Sequence, residues 1–196
     1  MTPMSKSKPC LIIVTGRPAA GKSTLAKWLS KELAIPYVSK DNVREILFDG
    51  LGWKDREWAQ RLGRSAIDVM FYFAEMQLGA SCSLILDNTF DPSLSTSRFL
   101  DLKIKYSAET LQIVCDSDQE TLFNRFRERA KTGKRHPGHH DDLVFDELRT
   151  NLAKGQSAIM KIGGSVLQVD TTNFAKIDYL TILQQVKAAL RAENGA

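Results

Sequence analysis

The chain is 196 residues long, 43% hydrophobic and 26% charged, with a formal net charge of +4 at neutral pH. That length fits one domain around one substantial core, and no apolar run approaches the roughly 20 residues that a bilayer span requires. Cys10, Cys82 and Cys115 are widely spaced and read as small core residues in or beside strands, which excludes a disulfide framework.

Residues 1–9 are polar, contain Lys and Ser, and lack the apolar segment of a signal peptide. They are expected to form a disordered tail ahead of a domain over 10–196, in a cytoplasmic protein. Cys10, Leu11, Ile12, Ile13, Val14 and Thr15 then make an apolar, β-branched run suited to a central parallel strand buried on both faces. Directly after it, Gly16-Arg17-Pro18-Ala19-Ala20-Gly21-Lys22-Ser23 completes a G-x-x-x-x-G-K-S motif. A helix follows from Lys22, with Leu25, Trp28, Leu29 and Leu33 on one side and Pro36 closing it.

Strand, glycine-rich loop and helix form the context in which this motif holds phosphates. The glycines let backbone N–H groups turn inward, and the positive end of the helix dipole adds to the field there. Lys22 supplies a mobile positive charge, Ser23 a hydroxyl for magnesium, and Thr24 continues the phosphate contacts. The chain is therefore expected to bind a nucleoside triphosphate.

Farther along, residues 37–39 form a short second strand, and 40–47 start a helix with Asp41 near its N-terminus. Gly50-Leu51-Gly52 interrupts the pattern. A long helix over 55–78 follows, with Trp58, Leu62, Ala66, Val69, Phe73 and Met76 as its expected buried stripe. Residues 83–87 read as a strand ending in Asp87, 88–92 as a loop, 94–105 as a helix and 111–115 as a strand. A helix over 119–131, a basic His-rich stretch over 132–140, a helix over 142–154, a strand over 166–169 and a closing helix to 191 complete the chain. This alternation predicts an α/β fold with a mostly parallel sheet of about five strands.

Four polar groups decide what such a nucleotide site could do. Asp41 lies just past the second strand, where a carboxylate can orient and deprotonate an acceptor hydroxyl; helix capping is the alternative and is compatible with it. Asp87, at the C-terminal end of an apolar strand, is placed to meet magnesium or substrate. Arg125, Arg127, Arg129, Lys131, Lys134 and Arg135 account for much of the basic excess. Arg125 and Arg129 share a helix face by their spacing of four, as a lid gripping triphosphate would require; a solvated face paired to Glu128 is the alternative, and the Gly-containing loop 132–134 that follows the run favours the lid. His136, His139, His140, Asp141 and Asp142 could in principle ligate zinc, but adjacent residues rarely converge on one ion, and loop packing or substrate contact is the expected role.

With these segments in place, the chain over roughly 10–191 resembles a small P-loop kinase. The group it resembles includes the kinase domain of phage polynucleotide kinase, chloramphenicol phosphotransferase and zeta-type toxins. The resemblance rests on Gly16 to Ser23, the Ser39-Lys40-Asp41 segment with Arg44, Leu84 to Asp87, and the Arg125 to Arg129 run. It implies a three-layer P-loop NTPase fold with a small helical lid, and ATP- and Mg2+-dependent transfer of the γ-phosphate to a hydroxyl. By the same resemblance Asp41 activates the acceptor hydroxyl and Arg44 meets the phosphate beside it. Asp87 lies next to acceptor or magnesium, Arg125 or Arg129 reaches the leaving phosphate, and adenine rests near Asp170, Thr171, Thr172 and Asn173. The acceptor is expected to be a small molecule or a nucleic-acid 5′-hydroxyl; Trp53, Lys54, Arg56 and Trp58 offer only a faint platform for unstacked bases. Neither a membrane nor an obligate protein partner is called for. The competing class is a nucleotide-dependent switch without an acceptor, for which no water-positioning segment is identifiable.

Overall fold

The computed structural model describes residues 8–133, 135–141, 145–153, 155 and 159–191. Its centre is β1 (Cys10–Gly16), buried along its whole length. On one side β1 pairs with β3 (Leu84–Asp87), which pairs in turn with the short β2 (Tyr37–Ser39). On the other it pairs with β4 (Glu109–Asp116), and β4 with β5 (Ser165–Asp170). All pairings are parallel, in the order β2-β3-β1-β4-β5.

Strand alternation divides the core into two layers. Ile12 and Val14 face α1 (Lys22–Leu33), α5 (Gln119–Lys131) and α7 (Tyr179–Arg191) through Leu25, Leu29, Leu122, Phe126, Ile182 and Val186. Leu11 and Ile13 face α3 (Arg56–Gly79) and α4 (Pro92–Tyr106) through Met70, Phe71, Ala74, Phe99 and Leu102. A third, smaller cluster of Phe48, Ala59 and Leu62 joins α2 (Lys40–Leu51) to the start of α3. The result is a three-layer α/β sandwich with a five-stranded parallel sheet and seven α-helices among the described residues, α6 (Phe145–Ala153) included.

Several expectations shift. Val69 and Met76, expected in the buried stripe of the long helix, are 45% and 57% exposed; its buried face runs through Ala59, Leu62, Gly63, Ala66, Met70, Ala74 and Leu78. The small residues let α3 lie close against its neighbours, and a count of large apolar side chains does not register them. The fourth helix begins at Pro92, inside the expected loop, because Pro suits the first helical turn and Asp91 caps it by accepting the Ser93 N–H at 2.8 Å. Cys10 and Cys115 are buried, but Cys82 is exposed in the turn after α3, and none of the three is in a disulfide bond among the described residues. The Pro9 carbonyl accepts the Glu109 N–H at 2.9 Å. Residues 1–7 of the expected tail, Lys134 of the basic run, and 142–144 and 154 of the expected sixth helix lie outside the described residues. No helix among the described residues is long and apolar enough to cross a membrane.

Candidate active site

The C-terminal ends of β1, β2 and β3 open into a cavity of about 600 Å³. Its floor is the loop from Pro18 to Thr24, and its walls come from α2, the start of α3, α5 and the segment 135–141. The loop needs its second glycine. Gly21 sits at φ +75°, and a Cβ there would lie 2.5 Å from the Phe174 ring. Lys22 is drawn back onto the loop, its Nζ donating to the Arg17 carbonyl at 2.8 Å. Burial lowers its pKa, while the nearby Asp87 carboxylate acts in the opposite direction.

Asp87 is 2% exposed and accepts two hydroxyls on Oδ2, from Ser23 at 2.5 Å and from Tyr37 at 3.0 Å. Burial raises its pKa, and the Ser23 hydrogen bond is the main counterweight. The β2–β3 register sets Ser39 beside Asp87. Ser23 and Asp87 thus bring a hydroxyl and a carboxylate oxygen together, the hard oxygen donors that Mg2+ takes alongside phosphate and water. They fit the protein's share of a magnesium site. No group of three or more His, Cys, Asp or Glu among the described residues could make a metal cage by itself.

Asp41 lines the same cavity as Lys22 and Ser23. It opens α2, whose N-cap is Ser39, and keeps 43% of its side chain exposed. Burial alone would raise its carboxyl pKa, but the Arg135 guanidinium, hydrogen-bonded to Oδ2, acts with His139 and Lys40 to outweigh it and bring the value down to about 2. Arg135 also donates to Asp141 Oδ1 at 2.5 Å, so it bridges two carboxylates. Arg129 Nε lies 3.9 Å from Asp141 Oδ2, and neither atom has a hydrogen-bond partner.

Arg44 lies one turn beyond Asp41, with its guanidinium 5.0 Å from the Phe48 ring centre and its Nε buried without a partner. Gly63 of α3 lies against it: a Cβ there would stand in ordinary contact, 3.6 Å from Nε. Segment 135–141 is docked onto α2 by its histidines. His136 stacks on Phe48 and meets Asp49 at 3.2 Å; His139 Nε2 meets Glu45 at 2.8 Å. Burial, foremost, pushes the His139 pKa down to about 3, so the ring is neutral at pH 7. Because Arg44 can only donate, His139 Nδ1 is the acceptor in their 3.4 Å contact and Nε2–H donates to Glu45. His136 and His139 are thereby committed to α2, which leaves loop packing as their role instead of zinc ligation; Asp142 lies outside the described residues.

Arg125 and Arg129 both line the cavity, as their helical spacing requires. Arg125 faces the loop after β5: it donates to the Thr171 and Thr172 carbonyls at 2.8 and 3.0 Å and stacks on Phe174, 3.9 Å from the ring centre. Gly16 and Arg17 do not line this cavity. Gly16 is pressed against β4, where a Cβ would fall 1.9 Å from the Cys115 carbonyl oxygen, and Arg17 is turned to Asp116 at 2.7 Å. With Asp170 and Thr172 they line a second cavity of about 590 Å³. Among the cavity residues not selected from sequence, two matter most to the site. Arg135 was hidden within a charge run, and Phe174 was an unremarked aromatic just beyond the last strand's turn.

A family model described as an AAA domain matches residues 11–154. Among solved structures, a candidate kinase from Chloroflexus aurantiacus j-10-fl is 36% identical, with 95% of this chain and 98% of that one covered and a TM-score of 0.85. A sugar kinase from Janibacter sp. HTCC2649 is 13% identical, with 93% and 94% covered and a TM-score of 0.55. Shikimate kinase from Bacteroides thetaiotaomicron is 16% identical, with 93% and 98% covered and a TM-score of 0.53. At those identities the last two are similar in fold alone. No curated protein matches the chain.

Proposed function

The chain belongs to the AAA domain family and has the fold of a small P-loop kinase, and from that premise we propose that it moves the γ-phosphate of ATP, with Mg2+, onto the hydroxyl of a small molecule. The observation that carries this reading is that the Asp41 carboxylate lines one cavity with Lys22 and Ser23. A phosphate cradle and a carboxylate at one cavity are what transfer to an alcohol needs.

In this mechanism the backbone N–H groups of 19–24 and the Lys22 ammonium hold the β- and γ-phosphates. Ser23 and Asp87 would hold the magnesium, which would supply positive charge to neutralise the phosphate oxygens. Asp41 accepts the acceptor's hydroxyl proton as that oxygen bonds to the γ-phosphorus and the bond to the bridging oxygen breaks, leaving ADP. Arg129, at the cavity wall, faces the charge that develops on the transferred group. Arg125 and Phe174 flank the place of the base. Arg44 serves the acceptor's end, where its unpaired Nε can donate to an oxygen. Docking of 135–141 on α2 encloses that end and favours a small acceptor over a nucleic-acid strand.

The test is transfer of labelled γ-phosphate from ATP and Mg2+ to a panel of sugars, hydroxy acids, nucleosides, antibiotic alcohols and 5′-hydroxyl oligonucleotides, with Asp41→Asn as control. A labelled product that disappears in the variant supports the reading. Hydrolysis that no acceptor stimulates and the substitution leaves unchanged would favour a nucleotide switch.

A further inference from the structure

Arg135 occupies the carboxylate that the proposed chemistry needs free. Its guanidinium is bonded to Asp41 Oδ2 and, through the other terminal nitrogen, to Asp141 Oδ1 at 2.5 Å. The side chains of Arg135 and Asp141 are 18% and 11% exposed, so water does little to weaken that half of the bridge, whereas Asp41, 43% exposed, is the half that water screens and that yields more readily. The backbone that carries them is fixed on α2 by the His139–Glu45 and His136–Asp49 contacts and by Phe48 stacking. The guanidinium can therefore turn about an anchored stem. The same cavity wall holds an unused acceptor, Asp141 Oδ2, beside the unpartnered Arg129 Nε.

We infer that Arg135 is a catalytic residue that couples the base to the nucleotide: with no γ-phosphate it sits on Asp41, and when the γ-phosphate arrives it transfers that hydrogen bond to a phosphate oxygen, keeps Asp141, and leaves Asp41 open to the acceptor hydroxyl. No covalent bond changes in this step; one charge-assisted hydrogen bond is exchanged for another. Asp141 is a positioning residue, holding Arg135 through the exchange. Nucleotide and acceptor then favour each other's binding, because the first uncovers the group that receives the second. The inference rests on the proposed kinase site, and it can fail while that site stands.

Binding of ADP and of the non-hydrolysable imido analogue of ATP, each with Mg2+, to the full chain measured by calorimetry tests it without a known acceptor. Arg135→Ala should weaken the triphosphate analogue about tenfold, the size of one charge-assisted hydrogen bond, and leave ADP unchanged. Arg135→Lys should recover part of the loss, and Asp141→Asn should show a smaller loss with the same selectivity. Asp41→Asn, which releases Arg135 in advance, should bind the analogue several-fold more tightly than the parent. That gain should vanish in the Arg135→Ala background, a double-mutant cycle with a non-zero interaction. Equal weakening of ADP and analogue, or a gain from Asp41→Asn that survives the loss of Arg135, would overturn the exchange while leaving the nucleotide site intact. Failure of the parent protein to bind either nucleotide would overturn both readings.

Discussion

The guanidinium of Arg125 lies 3.9 Å from the centre of the Phe174 ring, and both residues line the cavity that holds Asp41. The same group donates to the carbonyls of Thr171 and Thr172, so one side chain on α5 ties three residues of the segment after β5 together. Arg125→Ala should raise the KM for ATP about tenfold, through the lost hydrogen bonds and stacking together. Arg125→Lys keeps the charge but not the planar face and should fall between. Steady-state kinetics at varied ATP would show the effect in KM; a change confined to kcat would place Arg125 at the transferred phosphate instead.

Asp41→Asn should lower kcat by about 10²–10⁴-fold, the usual contribution of a positioned base. ADP affinity should change far less, since the phosphate loop and Lys22 that hold the diphosphate stay in place. Single-turnover transfer alongside ADP titration separates the two, and a variant retaining full transfer would remove Asp41 from the chemistry.

His139 makes the fold sensitive to acid. Its pKa is depressed by burial from 6.5 to about 3, so its contribution to stability is complete above pH 6.5 and is lost as the pH falls toward 3. Asp41, lowered from 3.8 to about 2, adds its own loss only below about pH 4. Urea unfolding at a series of pH values should show stability declining from pH 6.5 downward, and His139→Gln should flatten that part of the curve. An unchanged slope in the variant would assign the decline to other groups.

Gly138 sits where the docked segment crosses α2. A Cβ at this position would stand 2.8 Å from Phe48 Cδ2 and 2.9 Å from Trp53 Cβ. Gly138→Ala should cost about 1–3 kcal/mol through this crowding and reduce transfer, because Arg135 and Asp141 move with the segment. Gly50, inside α2 with nothing within 4 Å of its Cβ position, is the matched control. Gly50→Ala should stabilise the protein by roughly 0.5–1 kcal/mol through helix propensity. Melting curves for the two variants should move in opposite directions.

The phosphate loop, the central strand and the order of elements were legible because each depends on local pattern: a fixed spacing, a β-branched run, an alternation of periods. Asp41 and Asp87 were legible for a related reason, since strand ends in a parallel sheet converge on one edge. Pairing across the cavity was not. Nothing in the spacing of the basic run distinguishes Arg135 from Arg127, yet one bridges two carboxylates and the other lies at the surface beside Glu128. The difference arises from where segment 135–141 docks, which depends on aromatic packing between residues more than 80 positions apart, such as Phe48 and His136. The inward face of α3 was misread for a packing reason: glycine and alanine were chosen there for their lack of bulk.

The position of β1 has a consequence for the making of the molecule. It is synthesised well before its neighbours, β3, ending at Asp87, and β4, ending at Asp116. Gly16 closes against Cys115, and Arg17 against Asp116, a hundred residues downstream in the order of synthesis. The nucleotide loop therefore cannot take its shape while the chain emerges; it must wait for more than half the protein, with its most apolar strand unpaired in the interval. Folding governed by such distant closures is slow and exposes sticky surface. Nascent-chain truncations should acquire nucleotide-protected structure only after β4 has cleared the exit tunnel.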